Sequence, residues 1–277
     1  MARGGRFFTV TWNYRVNFQN PPLQPWILGQ CFRIVGENDF AARLPSILMA
    51  LGIVALVYLI GCKMNSTASA TTASALLLLT PHFMSNARRC MLEIPTTFWI
   101  CMTIWFFIKG FQRPKYHALM CLPFGAAILT KSILGLLPLT IFLTSAIFNL
   151  EIRNILKRPL IWIGIVGGLA IGAAWPLHQF SIFGAEALRE HYLSEIFSRS
   201  VRSLPIAKMI FGYPIILFTV FQPLILPAIP GFIKMIRERT PTFVILLTWI
   251  ALPLILYSFS SARSSRYIFP ILPALAL

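Results

Sequence analysis

Long apolar stretches, separated by small groups of charged residues, dominate this sequence. The stretches without Asp, Glu, Lys or Arg are 44–62, 64–87, 94–108, 116–130, 132–150, 159–185, 209–233, 240–262 and 267–277. A helix needs about 20 mostly apolar residues to cross roughly 30 Å of hydrocarbon, and backbone groups in lipid must be hydrogen-bonded internally. The pattern therefore predicts an all-α, polytopic transmembrane bundle with about eight spans and part of a ninth.

Composition agrees with this prediction. The 277 residues are 57% hydrophobic and 12% charged, which is about half the charge of a typical soluble domain. The cysteines show neither a CxxC pair nor metal-ligand spacing, so we expect them to be buried as small apolar residues. We interpret 1–277 as a single domain, with 1–42 as an outer juxtamembrane segment and 43–277 as the transmembrane bundle.

The net charge of +16 is unevenly distributed between the loops. When the loops are assigned alternately to two sides, the short loops carry ten basic residues on one side and five on the other. The positive-inside rule predicts that the first side, which includes Lys63, Arg113, Arg158 and Arg237, is cytoplasmic. The outer side holds further arginines outside its short loops, and this excess favours an anionic ligand at that face.

A double proline precedes the first predicted span. Asn20 is followed by Pro21 and Pro22, and each proline biases the residue before it towards extended backbone. Residues 22–35 then mix apolar and polar side chains, with Trp26 suited to a membrane interface. This pattern predicts an interfacial helix, and on periodicity alone such a helix would simply lie on the bilayer.

Two further groups of charged residues lie between predicted spans. Arg88, Arg89 and Glu93 are either an ordinary hairpin with an internal ion pair or a carboxylate that cations hold near a phosphate or a sugar hydroxyl. Lys131 lies between two apolar stretches with no room for a loop, so the chain must turn sharply there. Its side chain is either a helix-end lysine that extends towards water or a ligand of a lipid phosphate.

Taken together, these motifs resemble the polyprenyl-phosphate-dependent glycosyltransferases, a superfamily that includes lipid A aminoarabinose transferases and protein O-mannosyltransferases. The motifs occur in the order NPPLQPW, GENDFAARLPS, ARRCMLEIPTTFW, AAILTKSILGLLPL, HYLSEIFSR and SRYIFPILPALAL. The resemblance implies a multi-pass helical enzyme of the bacterial inner membrane with its active site facing outward. It also implies a polyprenyl-phosphate-linked sugar donor, a lipid, glycan or protein acceptor, inverting transfer and no nucleic-acid partner.

The resemblance also assigns roles to individual residues. Glu93 matches the acidic residue of the family's second outer loop, which lies near the acceptor or a metal, and it is our catalytic candidate. The residues expected to bind the donor phosphate are Asn20, Lys131 and Arg199. The residues expected to line the site are Arg88, Arg89 and Tyr267. Where the family often has Lys or His before the double proline, Asn20 supplies a hydrogen-bonding group without charge. No cofactor is required by the motifs, and a divalent metal remains open.

The family's catalytic acid normally lies between its first span and the double proline. This sequence has no acidic residue before Glu37. We therefore expect a further helix and the acid upstream of Met1, and further chain beyond Leu277. Two other functions remain open, namely a transporter or flippase for a lipid-linked anionic substrate and a catalytically inactive fragment. The sequence shows no internal repeat, and its ionisable residues cluster at one face, which favours an enzyme over a transporter.

Overall fold

The apolar stretches fold into helices that run between the two ends of a bundle. The computed structural model describes residues 8–12, 15–64, 66–189, 206–258 and 264–277. Two short strands, β1 (Thr11–Trp12) and β2 (Arg15–Val16), pair antiparallel ahead of the helices. The α-helices are α1 (Leu23–Val35), α2 (Asp39–Met64), α3 (Thr67–Leu79), α4 (Pro81–Ala87), α5 (Glu93–Gly110), α6 (Lys115–Leu119), α7 (Cys121–Thr130), α8 (Ser132–Gly135), α9 (Leu137–Phe148), α10 (Leu150–Leu156), α11 (Pro159–Phe183), α12 (Ile206–Val220), α13 (Ile225–Glu238), α14 (Pro241–Ser258) and α15 (Leu272–Ala276). A 3-10 helix (Phe269–Ile271) leads directly into α15.

Within the described residues, α2, α11 and α14 are long and apolar enough to cross a membrane. The pair α12–α13 is broken, and the helix direction bends by 120° between Gly212–Val220 and Ile225–Glu238. If this pair counts as one span, it forms a fourth crossing. The predicted all-α, multi-span architecture is thereby confirmed. The predicted helix over 22–35 is present as α1, and α2 begins at Asp39, inside the segment predicted to precede the bundle.

Three other predicted spans are divided between shorter helices, whereas 94–108 lies within the single helix α5. The stretch 64–87 forms α3 and α4, because Pro81 holds the preceding Thr80 in extended backbone with φ −72° and ψ 114°. The stretch 116–130 is divided between α6 and α7, and the stretch 132–150 between α8 and α9. A count of charge-free stretches therefore predicts the helical regions but not the breaks within them.

Two side-chain contacts bring basic loops together at one end of the bundle. Lys63, at the end of α2, donates a hydrogen bond from Nζ to Oε1 of Gln112, which follows α5. Asn149, between α9 and α10, donates from Nδ2 to the carbonyl oxygen of Arg239 at 3.2 Å. We call this the basic end, and the opposite end, where α5 begins, the Glu93 end. Each contact joins loops that the sequence assigned to the same side.

The segment before α1 is attached to the last turns of α11. Trp175 donates from Nε1, and Gln179 from Nε2, to the carbonyl oxygen of Phe8, each at 2.9 Å. The rings of Phe18 and Phe183 meet edge to face with centroids 5.2 Å apart. These contacts hold the segment that leads to the double proline against the C-terminal end of α11.

Helix α7 is positioned by α5 on one side and α11 on the other. His117 in α6 lies with Nε2 3.2 Å from the carbonyl oxygen of Phe107 near the end of α5, so α7 starts there and runs antiparallel to α5. Close approach to α11 depends on a small residue, because a Cβ atom at Gly168 would lie 2.4 Å from the Phe124 ring. The last residue of α7 therefore lies at the Glu93 end.

The chain reverses at Lys131 in the sharp turn that the sequence predicted. Lys131 has extended backbone, with φ −154° and ψ 90°, between α7 and α8. Helix α8 packs back onto α7, and a Cβ atom at Gly135 would lie 2.5 Å from the backbone oxygen of Ala127. The turn that places Lys131 therefore requires glycine at position 135.

We expect Gly135→Ala to destabilise the protein by about 2–4 kcal/mol, because the methyl group overlaps backbone that cannot move away as a flexible side chain would. Thermal unfolding of the purified protein in detergent measures this. Gly29→Ala in α1 is the matched control, because no atom lies within 4 Å of its added Cβ. Equal melting temperatures for both variants would contradict the close contact between α8 and α7.

Candidate active site

Glu93 is the first residue of α5 and is 7% exposed. Its Oε2 atom is buried and has no hydrogen-bond partner among the residues that the structure describes. Neither Arg88 nor Arg89 forms an ion pair with it in that part of the chain, so the predicted hairpin ion pair is not observed. Glu93 lies in the first turn of α5, where unpaired N–H groups give the helix end partial positive charge.

His82 lies on the short helix α4, outside the helices of membrane length, and is close enough to Glu93 for the carboxylate to act on it electrostatically. Its ring is 5.6 Å from the ring of Phe221 and 5.5 Å from that of Phe269, centroid to centroid. Burial lowers the pKa of His82; the Glu93 carboxylate opposes this effect and the guanidinium groups of Arg89 and Arg266 add to it. The neutral imidazole is therefore favoured, and its buried Nε2 has no hydrogen-bond partner in the described residues.

Lys131 is 8% exposed, so its side chain does not extend to water as a helix-end lysine would. Its Nζ atom lies 5.9 Å from the ring centroid of Tyr267. Tyr267 in turn stacks on Tyr257 with ring centroids 5.5 Å apart. The buried lysine is thus held at the Glu93 end, against the turn that precedes the 3-10 helix.

The 3-10 helix connects these groups, because it packs against α5 and carries Phe269 onto His82. The residues brought together in this way are Glu93, His82, Lys131, Arg266 and Tyr267, which we call the Glu93 cluster. A buried carboxylate can accept a proton from a hydroxyl group, and neighbouring cations can stabilise the negative charge of a phosphate. The cluster combines both kinds of group.

The other predicted site residues lie at the margin of the cluster or outside the described residues. Arg88 and Arg89 are exposed, and Arg88 donates from Nε to the Met84 carbonyl oxygen at 3.4 Å. Asn20 is half-buried next to the buried double proline, and α1 contacts α7, but no hydrogen bond within the described part of the chain joins Asn20 to the cluster. Arg199 and the motif HYLSEIFSR fall outside the described residues.

His82 and its two aromatic neighbours were not among the predicted site residues. His82 lies within the stretch 64–87, which was defined by the absence of Asp, Glu, Lys and Arg, and histidine was not counted. A search for any titratable residue in an apolar stretch finds it. Phe221 and Phe269 gave no signal, because single phenylalanines among many apolar residues do not mark a site.

A cavity among the described residues lies at the other end of the bundle from the Glu93 cluster. A cavity of about 410 Å³ opens at the basic end between α9, α13 and α14, and its lining is apolar apart from Arg239, Thr144 and Thr248. It contains no carboxylate. Within the described residues, no group of three or more His, Cys, Asp or Glu side chains could hold a metal ion.

Comparison with known proteins supplies the family. Residues 19–177 match the model of the dolichyl-phosphate-mannose-protein mannosyltransferase family, and this is more than half of the chain. The chain belongs to this family. The superfamily predicted from the motifs is therefore confirmed.

Two relatives match this chain over 94% or more of its length. A protein of Aquifex aeolicus (strain VF5), called an uncharacterized protein, is 27% identical over 279 residues, which are 100% of this chain and 63% of its own length. The undecaprenyl phosphate-alpha-4-amino-4-deoxy-L-arabinose arabinosyl transferase of Pseudomonas savastanoi pv. phaseolicola (strain 1448A / Race 6) is 27% identical over 272 residues, which are 94% of this chain and 50% of the relative. The chain thus spans 50% to 63% of the length of these relatives.

Solved structures give the same fold. ArnT from Cupriavidus metallidurans in the apo state superposes with a TM-score of 0.81 at 20% identity, covering 100% of this chain and 51% of ArnT. The structure of ArnT bound to undecaprenyl phosphate gives a TM-score of 0.79, also at 20% identity, and the chain covers 52% of it. These matches confirm the predicted multi-pass membrane fold of this mannosyltransferase-family chain.

We expect Glu93→Gln to leave the melting temperature unchanged or to raise it by about 2–4 °C, because the change removes a buried charge while keeping the shape of the side chain. Thermal unfolding in detergent measures this. Glu151→Gln is the matched control, because Glu151 is exposed at the basic end. A fall of more than about 5 °C in the Glu93 variant would show that the carboxylate has a structural partner.

Proposed function

We propose that this chain carries the active site of a glycosyltransferase that moves a sugar from a polyprenyl-phosphate carrier to an acceptor hydroxyl at the extracytoplasmic face of the bacterial inner membrane. The observation that supports this most is the Glu93 carboxylate, buried with an unpartnered oxygen at the same end of the bundle as buried Lys131. The family description and the undecaprenyl-phosphate names of the relatives supply the donor class.

In this proposal Glu93 takes the role of base, instead of the acid that the family resemblance places before the double proline. Its carboxylate takes the proton of the acceptor hydroxyl, and the acceptor oxygen forms a bond to the anomeric carbon of the sugar. The bond between that carbon and the phosphate oxygen breaks, and its electron pair leaves with the polyprenyl phosphate. One displacement of this kind inverts the anomeric centre, and phosphate is a good enough leaving group that no covalent enzyme intermediate is needed.

Lys131 binds the donor phosphate in this proposal. An ammonium group in a buried site interacts strongly with a phosphate, because little water screens the charges. Tyr267 lies against the same lysine, and Arg266 adds positive charge beside His82. Asn20 and Arg199 remain proposed donor contacts, and the exposed Arg88 and Arg89 would line the entrance.

The outward orientation rests on loop charge. The basic end contains Lys63, Asn149 and Arg239. When the loops are assigned alternately to two sides, the short loops of this side carry ten basic residues, against five on the opposite side. Cytoplasmic loops carry such an excess, so the Glu93 end would face outward. A transporter would instead need ionisable groups along a path through the bundle, and the cluster lies at one end.

We expect Glu93→Gln to lower sugar transfer by about 10²–10⁴-fold, because the base is lost. The assay follows radiolabel from undecaprenyl phosphate carrying 4-amino-4-deoxy-L-arabinose or mannose into the lipid and protein fractions of membranes that contain the full-length protein. Glu151→Gln should retain wild-type transfer. Donor that crosses the vesicle membrane intact, without sugar transfer, would indicate a transporter. Wild-type membranes that show neither sugar transfer nor donor transport would indicate an inactive protein.

We expect Lys131→Met to weaken binding of undecaprenyl phosphate by about 10–100-fold, because a buried charge-assisted contact is lost. Lys131→Arg should bind more tightly than Lys131→Met, because the charge is kept. Titration of the purified protein with undecaprenyl phosphate measures both. Lys115→Met is the matched control, because Lys115 also lies near a tyrosine ring, 5.8 Å from Tyr116, at the basic end. Equal affinity of Lys131→Met and wild type would refute the assignment.

A further inference from the structure

His82 is held in place by parts of the chain that are far apart in sequence. It follows Pro81 at the start of α4, and its ring lies between Phe221, after α12, and Phe269, in the 3-10 helix. The His82 backbone carbonyl accepts a hydrogen bond from Asn86 Nδ2 at 2.8 Å. Two aromatic rings thus position the imidazole: Phe221 is stacked on it, and Phe269 is tilted against it by 57°.

Two polar atoms in this cluster are buried without hydrogen-bond partners in the described residues, namely Oε2 of Glu93 and Nε2 of His82, and the Glu93 carboxylate is close enough to act electrostatically on the His82 ring. Buried polar atoms in folded proteins are almost always paired, so each such atom calls for a specific explanation. The two atoms are complementary. A carboxylate oxygen only accepts hydrogen bonds, whereas a neutral imidazole can donate from Nε2.

A hydroxyl group can both donate one hydrogen bond and accept others. One hydroxyl between the two side chains would therefore satisfy both buried atoms at once. An amine or a carboxylate would leave one of them less well matched, because an ammonium group has no acceptor and a carboxylate has no donor.

We propose that His82 is an acceptor-binding residue: it donates from Nε2 to the oxygen of the acceptor hydroxyl, which itself donates to Oε2 of Glu93. This inference rests on the proposed function. During transfer the hydroxyl proton moves to Glu93, the oxygen lone pair forms the new bond to the anomeric carbon, and the proton on His82 stays where it is. The role of His82 is to orient the oxygen and to select a hydroxyl.

The charges that face His82 agree with a neutral donor. Glu93 acts on it from α5, Arg89 from the turn after α4, and Arg266 from the segment before the 3-10 helix. The two arginines and burial disfavour a second proton on the ring. With Nε2 carrying the single proton, the imidazole presents a donor to the acceptor oxygen.

Two substitutions separate hydrogen bonding from ring packing. His82→Phe keeps an aromatic ring between Phe221 and Phe269 and removes the donor, whereas His82→Gln keeps an N–H donor and removes the ring. We expect His82→Phe to lower kcat/KM for the acceptor by about 10–100-fold, and His82→Gln to retain most of it. Binding of undecaprenyl phosphate should be unchanged in both. His178→Phe is the matched control, because His178 also packs on a phenylalanine, Phe8, at 4.8 Å.

The opposite ranking, with His82→Phe active and His82→Gln inactive, would overturn the inference and assign His82 a packing role. Equal losses in both variants, or loss of undecaprenyl phosphate binding, would overturn it as well. A second measurement does not depend on transfer. Total bacterial membrane lipid should slow the modification of His82 by diethyl pyrocarbonate, but not that of His178, as followed by mass spectrometry.

The two measurements distinguish the two proposals. A wild-type protein that transfers no sugar contradicts the proposed function, and the protection experiment still decides whether a ligand covers His82. Absence of protection in a protein that transfers sugar to lipid overturns only the role of His82. If the label enters protein instead, the protection experiment uses the labelled protein fraction in place of lipid. Absence of protection there would likewise overturn the role of His82.

Discussion

The candidate site depends on a carboxylate and an ammonium group that are both buried at one end of an apolar bundle. Glu93 is 7% exposed and Lys131 is 8% exposed. Ionised groups are costly to remove from water unless charges, dipoles or hydrogen bonds replace the lost solvation. The N-terminus of α5 provides part of that replacement for Glu93, and the ring of Tyr267 lies near Lys131. A hydroxyl that donated to the unpartnered Oε2 atom of Glu93 would provide more for the carboxylate.

The backbone creates this arrangement by antiparallel packing and one tight turn. Helix α5 begins at Glu93, and the contact of His117 with the end of α5 makes α7 run the opposite way. Both functional groups then lie at the same end, although 38 residues of sequence separate positions 93 and 131. The turn at Lys131 leaves no loop that could carry the ammonium group into water, because α8 packs directly onto α7 at Gly135. The burial of Lys131 is therefore a consequence of helix packing.

The hydrophobic pattern and the placement of charges predicted much of the fold and part of the candidate site. The charge-free stretches located the helices, the lone lysine predicted the sharp turn, and loop alternation agrees with the contacts at the basic end. The break after Thr80 was visible in principle, because Pro81 restricts it, but a count of apolar residues ignores it. The His82 environment could not be predicted, since Phe221 and Phe269 reach it only through the tertiary fold. The sequence also could not show that Glu93 forms no ion pair with the described residues, because side-chain direction decides that.

The bent pair α12–α13 explains how an aromatic side chain reaches the polar cluster. In a straight helix, the direction of the Phe221 side chain would be set by its place in the helical turn. Phe221 instead lies at the 120° bend, and there its ring contacts His82. Broken helices are tolerated in membranes only where their backbone groups find other partners. Here the break is hydrogen-bonded locally, from the Phe221 N–H to the Leu217 carbonyl at 3.2 Å and from the Leu224 N–H to the Phe221 carbonyl at 3.0 Å. The bend thus has local hydrogen-bond partners, and it places an apolar ring against His82. Phe221 covers part of the His82 ring, and a hydrogen bond to a hydroxyl is stronger beside such apolar surface than in water.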